Sequence, residues 1–389
     1  MKRNRIGRRG GLPRVAEQLL WLANGLADSS SRAEDHFWDE RLAAAVDQLL
    51  QGEDEETLTT ALDHLSTASA HAYDELADMI ESRAEGALRS NEHHDVLLIA
   101  APVMAWSRYR IPAAPIAAAV MANLRVQLKA HILASNVKLA LADFLFSPDQ
   151  LPQGYCATAD FASHLGKAAA NDIDLHIKTD NLPETAQFLS DNRYLLGAVV
   201  VPKGAPIFRW QEEDCTRDQA LEQWRAQGGA CIAPMLTGCA FEVVLPNAYF
   251  AASREADKAS RPYSIQASVA FLSTTLDAPA SQLRAVVAPF FERQVEEFRI
   301  GFTLRERSEV VHGVVWPLLG AEDENSETQG QIEATLRACG ITDIRTLDNE
   351  FPMEYCDDCG APLYPSPEGE AVHAELPEEQ AEQMPRQLH

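Results

Sequence analysis

The sequence predicts a mixed α+β and α/β protein. A helical N-terminal module precedes a central α/β body, a ferredoxin-like βαββαβ part and a short CxxC-containing tail. Three observations predict this. Apolar residues recur at helical spacing as far as about residue 90. Continuous apolar runs such as VLLIAAPV (96–103) then alternate with helical patterns, as in a sheet covered on both faces. Beyond residue 261 the patterns follow the order of a split βαβ fold. At about 150 residues per domain, 389 residues suffice for two or three domains. The patterns divide them into a basic arm (1–14), a helical module (15–92), an α/β domain (93–260), a ferredoxin-like domain (261–350), a CxxC segment resembling a zinc knuckle (351–375) and a disordered acidic tail (376–389).

In the N-terminal quarter, a first helix is expected over about 13–28, with Val15, Leu19, Leu22 and Leu26 as its stripe. Ser31 and Glu34 form a capping-box pair before a second helix carrying Trp38, Leu42, Val46 and Leu49. The acids 53–56 suit the positive end of a third helix with Leu58, Leu62 and Leu65. Tyr73, Leu76, Ile80 and Ala84 mark a fourth, and four such helices suggest a small bundle or two helical hairpins.

In the body, strands are expected at 96–103 and 137–146, helices at about 115–133 and 157–169, and an alternating strand at 173–179. LLGAVVV (195–201) and PIFRWQ (206–211) read as a hairpin, followed by a helix at 218–227 and the strand FEVVLP (241–246). The segments 95–147 and 194–246 share a strand, loop, helix, strand order that hints at duplication. In the C-terminal part, YSIQASVAFLSTT reads as a strand and 280–294 as a helix; two strands, a helix at 331–339 and the strand ITDIRTL follow.

The net charge is −25, with six basic residues and no acid in 1–14, and 17 acids against three arginines in 321–389. So acidic a body repels phosphate backbones and anionic membranes, which leaves nucleic acid an unlikely partner outside the arm. No apolar run approaches the ~18 residues of a membrane helix. Arg8-Arg9 faintly resembles a twin-arginine signal, but Glu17 and Gln18 interrupt the apolar stretch after it, so a cytoplasmic protein is expected. Seven cysteines, five of them scattered (Cys156, Cys215, Cys231, Cys239, Cys339), fit small buried side chains in a reducing compartment.

The strongest local signal is Cys356-Asp357-Asp358-Cys359-Gly360, a turn that lets two thiolates converge on one ion. His373, fourteen positions beyond Cys359, is a third candidate ligand for one structural zinc, and Cys339, Glu375 or an aspartate are candidates for the fourth. A redox dithiol is the weaker alternative, because the two aspartates oppose a thiolate and prolines follow where a helix should begin. Two reduced surface cysteines are the plain alternative. His131, His164, His176 and His312 are expected to be structural, without carboxylate partners at telling spacing, while His64 and His71 read as surface groups and His93-His94 as a helix-end cap. There is no phosphate loop, nucleophile elbow, HExxH or EF-hand pattern. Trp106, Arg209, Trp210, Arg254 and Tyr263 are candidates to line a pocket, with Arg254 and Arg261 able to fork a carboxylate or phosphate. Against this, Glu255 or Asp257 would occupy the arginines locally.

The stretches LLIAAPVMAWSRYRIP, PIFRWQEE, YFAASREAD…RPYSI, GVVWPLLG and EYCDDCGAPLYP together resemble a betaproteobacterial family defined by a domain of unknown function. The resemblance covers about 13–379 and implies a bacterial cytoplasmic protein; it supplies no activity, substrate, cofactor or catalytic residue. The expectation is therefore a non-enzymatic interaction or regulatory protein with a basic-faced protein partner. The alternative is an enzyme or small-ligand binder with a pocket in the body.

Overall fold

A computed structural model describes residues 12–86, 93–213, 215–320, 322 and 327–377. The arm's residues 1–11, with Arg8-Arg9, the acidic tail from 378 on and most of the acidic segment 321–326 lie outside the described residues. No helix among the described residues is long and apolar enough to cross a membrane.

The four expected N-terminal helices are present: α1 (Arg14–Ala27), α2 (Arg32–Gln51), α3 (Glu55–Ala68) and α4 (Ala70–Glu85). Each of the last three starts on a capping side chain. Ser31 Oγ accepts the N–H of Glu34 (3.3 Å), Asp54 that of Thr57 (3.1 Å) and Ser69 that of Ala72 (3.4 Å). One core joins all four, from Leu19 and Leu22 through Val46 and Leu58 to Leu76 and Ile80. Val15 is not in it: Ala16 takes that place on the stripe, and Val15 faces outward.

The body is built on β1 (His94–Trp106), β2 (Ala114–Pro115), α5 (Ala118–His131), β3 (Lys138–Phe146), α6 (Tyr155–Ala170) and β4 (Ser190–Pro202). It continues through α7 (Arg217–Gln223), a π turn and α8 (Gly229–Ile232) to β5 (Ala240–Val243) and β6 (Asn247–Ala248). The sheet order is β2-β3-β4-β1-β5, antiparallel throughout, with β6 also on β1. β1 shows why the runs read as continuous: Ile99, Ala101 and Val103 enter the core under α5, α7 and α8, while Leu98 and Ala100 enter the core under α6 and α9. The order β3-β4-β1-β5 is symmetric about the central β1–β4 pair, so 95–147 and 194–246 occupy equivalent places in it.

Two of the strands expected in the body do not form. Residues 206–211 make no hairpin: the Gln211 side chain accepts the N–H groups of Ile207 and Phe208 (2.8 and 2.9 Å) and turns the chain, leaving only a Phe208–Leu133 bridge. Residues 173–179 share only a single bridge with β3, Leu175–Ala142, because the Asp174 carboxylate takes Arg125 and the Leu141 N–H and the Asp143 carboxylate takes the Ile177 N–H.

The helix α9 (Tyr249–Thr275) leads out of the body; its 27 residues extend about 40 Å. Its first half packs on the first sheet through Tyr249, Ala252 and Ala256, and its second half on the next sheet through Ile265, Val269 and Leu272. That sheet contains β7 (Leu283–Phe291), β8 (Val295–Leu304) and β9 (His312–Pro317) as an antiparallel meander. After α10 (Thr328–Ala338), β10 (Asp343–Thr346) pairs parallel with β7 on its outer edge.

The order over 249–346 is thus αβββαβ, in place of the expected ferredoxin-like βαββαβ. YSIQASVAFLSTT is helical because its apolar residues recur at 265, 269 and 272, and Pro262 removes one helix bond without ending α9. The segment 280–294 is a strand because Leu283, Ala285 and Val287 face one core while Ala288 and Phe290 face another, hiding the alternation. The expected boundary at 260/261 falls inside α9.

Candidate metal centre

After β10 the chain crosses the back of the second sheet. β11 (Phe351–Pro352) pairs with the end of β7, and β12 (Tyr364–Pro365) with β13 (Ala371–Val372) forms a hairpin lying on β8. Two glycines make room for it. Gly301 and Gly313 are cross-strand partners on β8 and β9. A Cβ at Gly301 would come within 2.3 Å of the Pro365 carbonyl oxygen, and one at Gly313 within 2.3 Å of the Tyr364 ring. Tyr364 is accordingly buried, which contributes about 2–3 kcal/mol of apolar burial.

Between β11 and β12 lies the Cys356–Cys359 loop. Tyr355 and Pro362 bridge its stems, the Cys356 N–H donates to the Ala361 carbonyl (2.7 Å), and the Gly360 N–H donates to the Cys356 carbonyl (2.8 Å). Gly360 sits at φ +73°, a left-handed conformation that glycine adopts without strain. The stems are held from beneath by Arg299, fully buried on β8. Its guanidinium donates to the carbonyls of Glu354 (2.7 Å) and Leu363 (2.8 Å), pairs with Glu297 (2.5 Å) and lies over the rings of Phe290 and Tyr355. The clamp is charge-assisted at each contact.

The hairpin β12–β13 brings His373 back to this loop. Its Nε2 lies 3.3 Å from Cys359 Sγ, and the donor atoms of Cys356, Cys359 and His373 all fall within 4.8 Å of one another. A tetrahedral zinc with arms of about 2.0–2.3 Å separates its donors by roughly 3.5–3.8 Å, so the cluster is the right size with small adjustments. The Glu375 carboxylate lies 3.4 Å from His373 Nδ1. A carboxylate behind a ligating imidazole fixes its tautomer and increases its basicity.

The group has three members among the described residues. Of the candidate fourth ligands, Cys339 packs at the end of α10 against the core of the second sheet, Glu375 sits on the far nitrogen of His373, and Asp357 and Asp358 are exposed. Cys359 is exposed and Cys356 half-buried, so the group lies at the surface. The five scattered cysteines are half-buried against apolar clusters. Burial, with the neighbouring Glu55, pushes the Cys156 thiol up to about 12, and burial also raises Cys231, Cys239 and Cys339. These four are poor nucleophiles.

The five candidate pocket residues do not gather at one place. Trp106 and Tyr263 meet in a small cluster with Met104 and Val244, where the Tyr263 hydroxyl donates to the Ala240 carbonyl (3.1 Å). Trp210 stacks on Phe208 (4.5 Å, 6°) against the core under α5, and Arg209 donates to the Ala130 carbonyl. Arg254 pairs with Glu81 of α4, and Arg261 makes a two-pronged pair with Glu322 (2.6 and 3.1 Å). The arginines thus form no fork, and the acids that take them are distant in sequence rather than Glu255 or Asp257. Ser268 Oγ and His312 Nε2 are 2.9 Å apart between α9 and β9, but both are buried, so the pair ties the helix to the sheet and has no route to a substrate.

Sequence reasoning missed Arg299. Its signal was present: a charged residue inside the apolar strand pattern EEFRIGFTLR, which must find partners if buried.

The fold and this site define a mixed α/β protein with a small loop whose Cys356, Cys359 and His373 could hold a metal ion. The family model described as "Protein of unknown function (DUF2863)" matches residues 4–387, and the chain belongs to that family. No curated protein and no solved structure matches the chain.

Proposed function

We propose that the protein is a non-enzymatic interaction or regulatory protein. One structural zinc ion clips its C-terminal segment, and its acidic exterior takes up a protein partner with a basic face. The observation that carries the reading is the convergence of Cys356, Cys359 and His373 on a loop whose stems Arg299 already holds. Two thiolates and an imidazole form a donor set suited to zinc. The ion would tie the loop to the chain just beyond β13, closing a segment with only a small core of its own. Seven free cysteines fit a reducing, cytoplasmic setting. The charge of −25 favours a basic partner and opposes nucleic acid and anionic lipid.

The test is elemental mass spectrometry on the purified full chain beside a Cys356→Ser/Cys359→Ser variant. About one zinc per chain, lost in the variant, is expected; no zinc in the intact chain removes the clip. For the partner, the complex should weaken between roughly 0.05 and 0.5 M salt, and a salt-insensitive complex removes the electrostatic part of the reading.

A further inference from the structure

We infer that the outer face of α1 and α2, around Trp21 and Phe37, is the docking point for the partner, seated with an arginine- or lysine-bearing segment on these rings. The inference rests on the interaction reading above and gives it a place.

Trp21 is 58% exposed and Phe37 43%, and they are not isolated. Trp38 lies between them, edge to face with both, at 4.9 Å from Trp21 and 5.0 Å from Phe37. Trp38 is itself fixed, because its ring lies flat on Gly25 of α1, where a Cβ would come within 2.7 Å of it. The three rings therefore form a continuous, pre-ordered aromatic surface across two helices. Rigid exposed aromatics of this kind are the anchors of protein interfaces.

The chemistry of the occupant follows from what surrounds the rings. The Arg41 guanidinium already lies 3.6 Å over the Phe37 ring, so this surface binds one cation from its own chain. Glu17, exposed on α1, stands four positions before Trp21, the spacing of helix neighbours. Residues 12–86 carry 17 acids against Arg14, Arg32, Arg41 and Arg83, a net charge of −13, about half that of the whole chain. Exposed rings on so acidic a module attract a cation with an apolar stem. The same field repels anionic surfaces.

The test is a fluorescence-anisotropy titration of the full chain with a dye-labelled peptide carrying arginine and leucine at helical spacing. Its arginine-to-glutamine counterpart is the control. The intact chain should bind the first peptide and not the second. Trp21→Ala/Phe37→Ala should weaken binding about tenfold, and Glu17→Gln should weaken it severalfold, with melting temperature and helix content unchanged. If the double variant binds the arginine peptide as well as the intact chain does, and binding is still lost with salt, this docking point is wrong while the acidic-interaction reading stands. If neither peptide binds, both fail. A self-association seen by sedimentation and abolished in the double variant would make the occupant a second copy of this chain and overturn the assignment.

Discussion

The Glu85 carboxylate accepts the backbone N–H of Phe250 at 3.0 Å, so the last residue of α4 caps the first turn of α9. Glu55 does the same for α6, accepting the N–H groups of Tyr155 (2.9 Å) and Cys156 (2.8 Å). The cap positions of both helices, Gly154 and Ala248, carry no hydrogen-bonding side chain. The helical module supplies from outside what each helix lacks, and the negative groups meet the positive helix ends.

Glu85 makes this junction pH-dependent. Burial raises its carboxyl from 4.5 to about 7, against the lowering pull of the Phe250 N–H and with Glu81 and Arg254 as the nearest charges. The folded state therefore holds the proton more tightly than the unfolded one. The contribution of this group is most favourable below about pH 4.5 and is lost as pH rises through about 7, a change of up to about 3 kcal/mol. Glu85→Gln keeps an acceptor for Phe250 and should be more stable than the parent at pH 8, with the advantage shrinking toward pH 5. Urea titrations of both proteins across that range measure the difference.

At the other cap, Gly154 sits at φ +84°, and a Cβ there would lie 2.8 Å from the Glu55 carboxylate. Gly154→Ala should displace Glu55 and strain the backbone together. Glu55→Ala should cost about 1–2 kcal/mol through the lost cap alone. Faster hydrogen exchange at the Tyr155 and Cys156 amides would locate the loss; unchanged exchange there would contradict the capping role.

Arg299→Met removes a buried cation and leaves Glu297 and the carbonyls of Glu354 and Leu363 without their donor. The expected cost is about 3–5 kcal/mol. Residues 351–377 should become protease-sensitive while α1–α4 remain resistant. Gly313→Ala should free the same segment by a different route, because the Tyr364 ring has nowhere to move.

His373→Ala should abolish zinc retention, and Glu375→Gln should lower zinc affinity about 10–100-fold without unfolding the loop. Competition with a chromophoric chelator measures both. Equal affinity in Glu375→Gln would show that the carboxylate does not support the imidazole.

The helical module was legible because its signals are local: Ser31 caps α2 as its spacing implies, and Leu42, Val46 and Leu49 line one face. β7 was not, because two cores cover it and Val286-Val287 lose the alternation that marks a strand. YSIQASVAFLSTT read as a strand, yet packing on two sheets carries α9 through Pro262 despite one missing backbone bond. At the metal loop, Cys356, Cys359 and His373 were readable from spacing. That Glu375 stands behind His373, rather than beside the thiols, depends on the β12–β13 hairpin and no sequence pattern carries it. Trp21 shows the same limit: it sits outside the Leu19–Leu22 stripe, but only the approach of α2 shows that Trp38 meets it.

The helix α9 has one further consequence. A single rod that completes the core of both sheets ties their melting together, since neither can lose its half of α9 without fraying the other's. Heating should therefore give one calorimetric transition across 93–350 rather than two, and a chain cut at 260 would leave each fragment with an unfinished core.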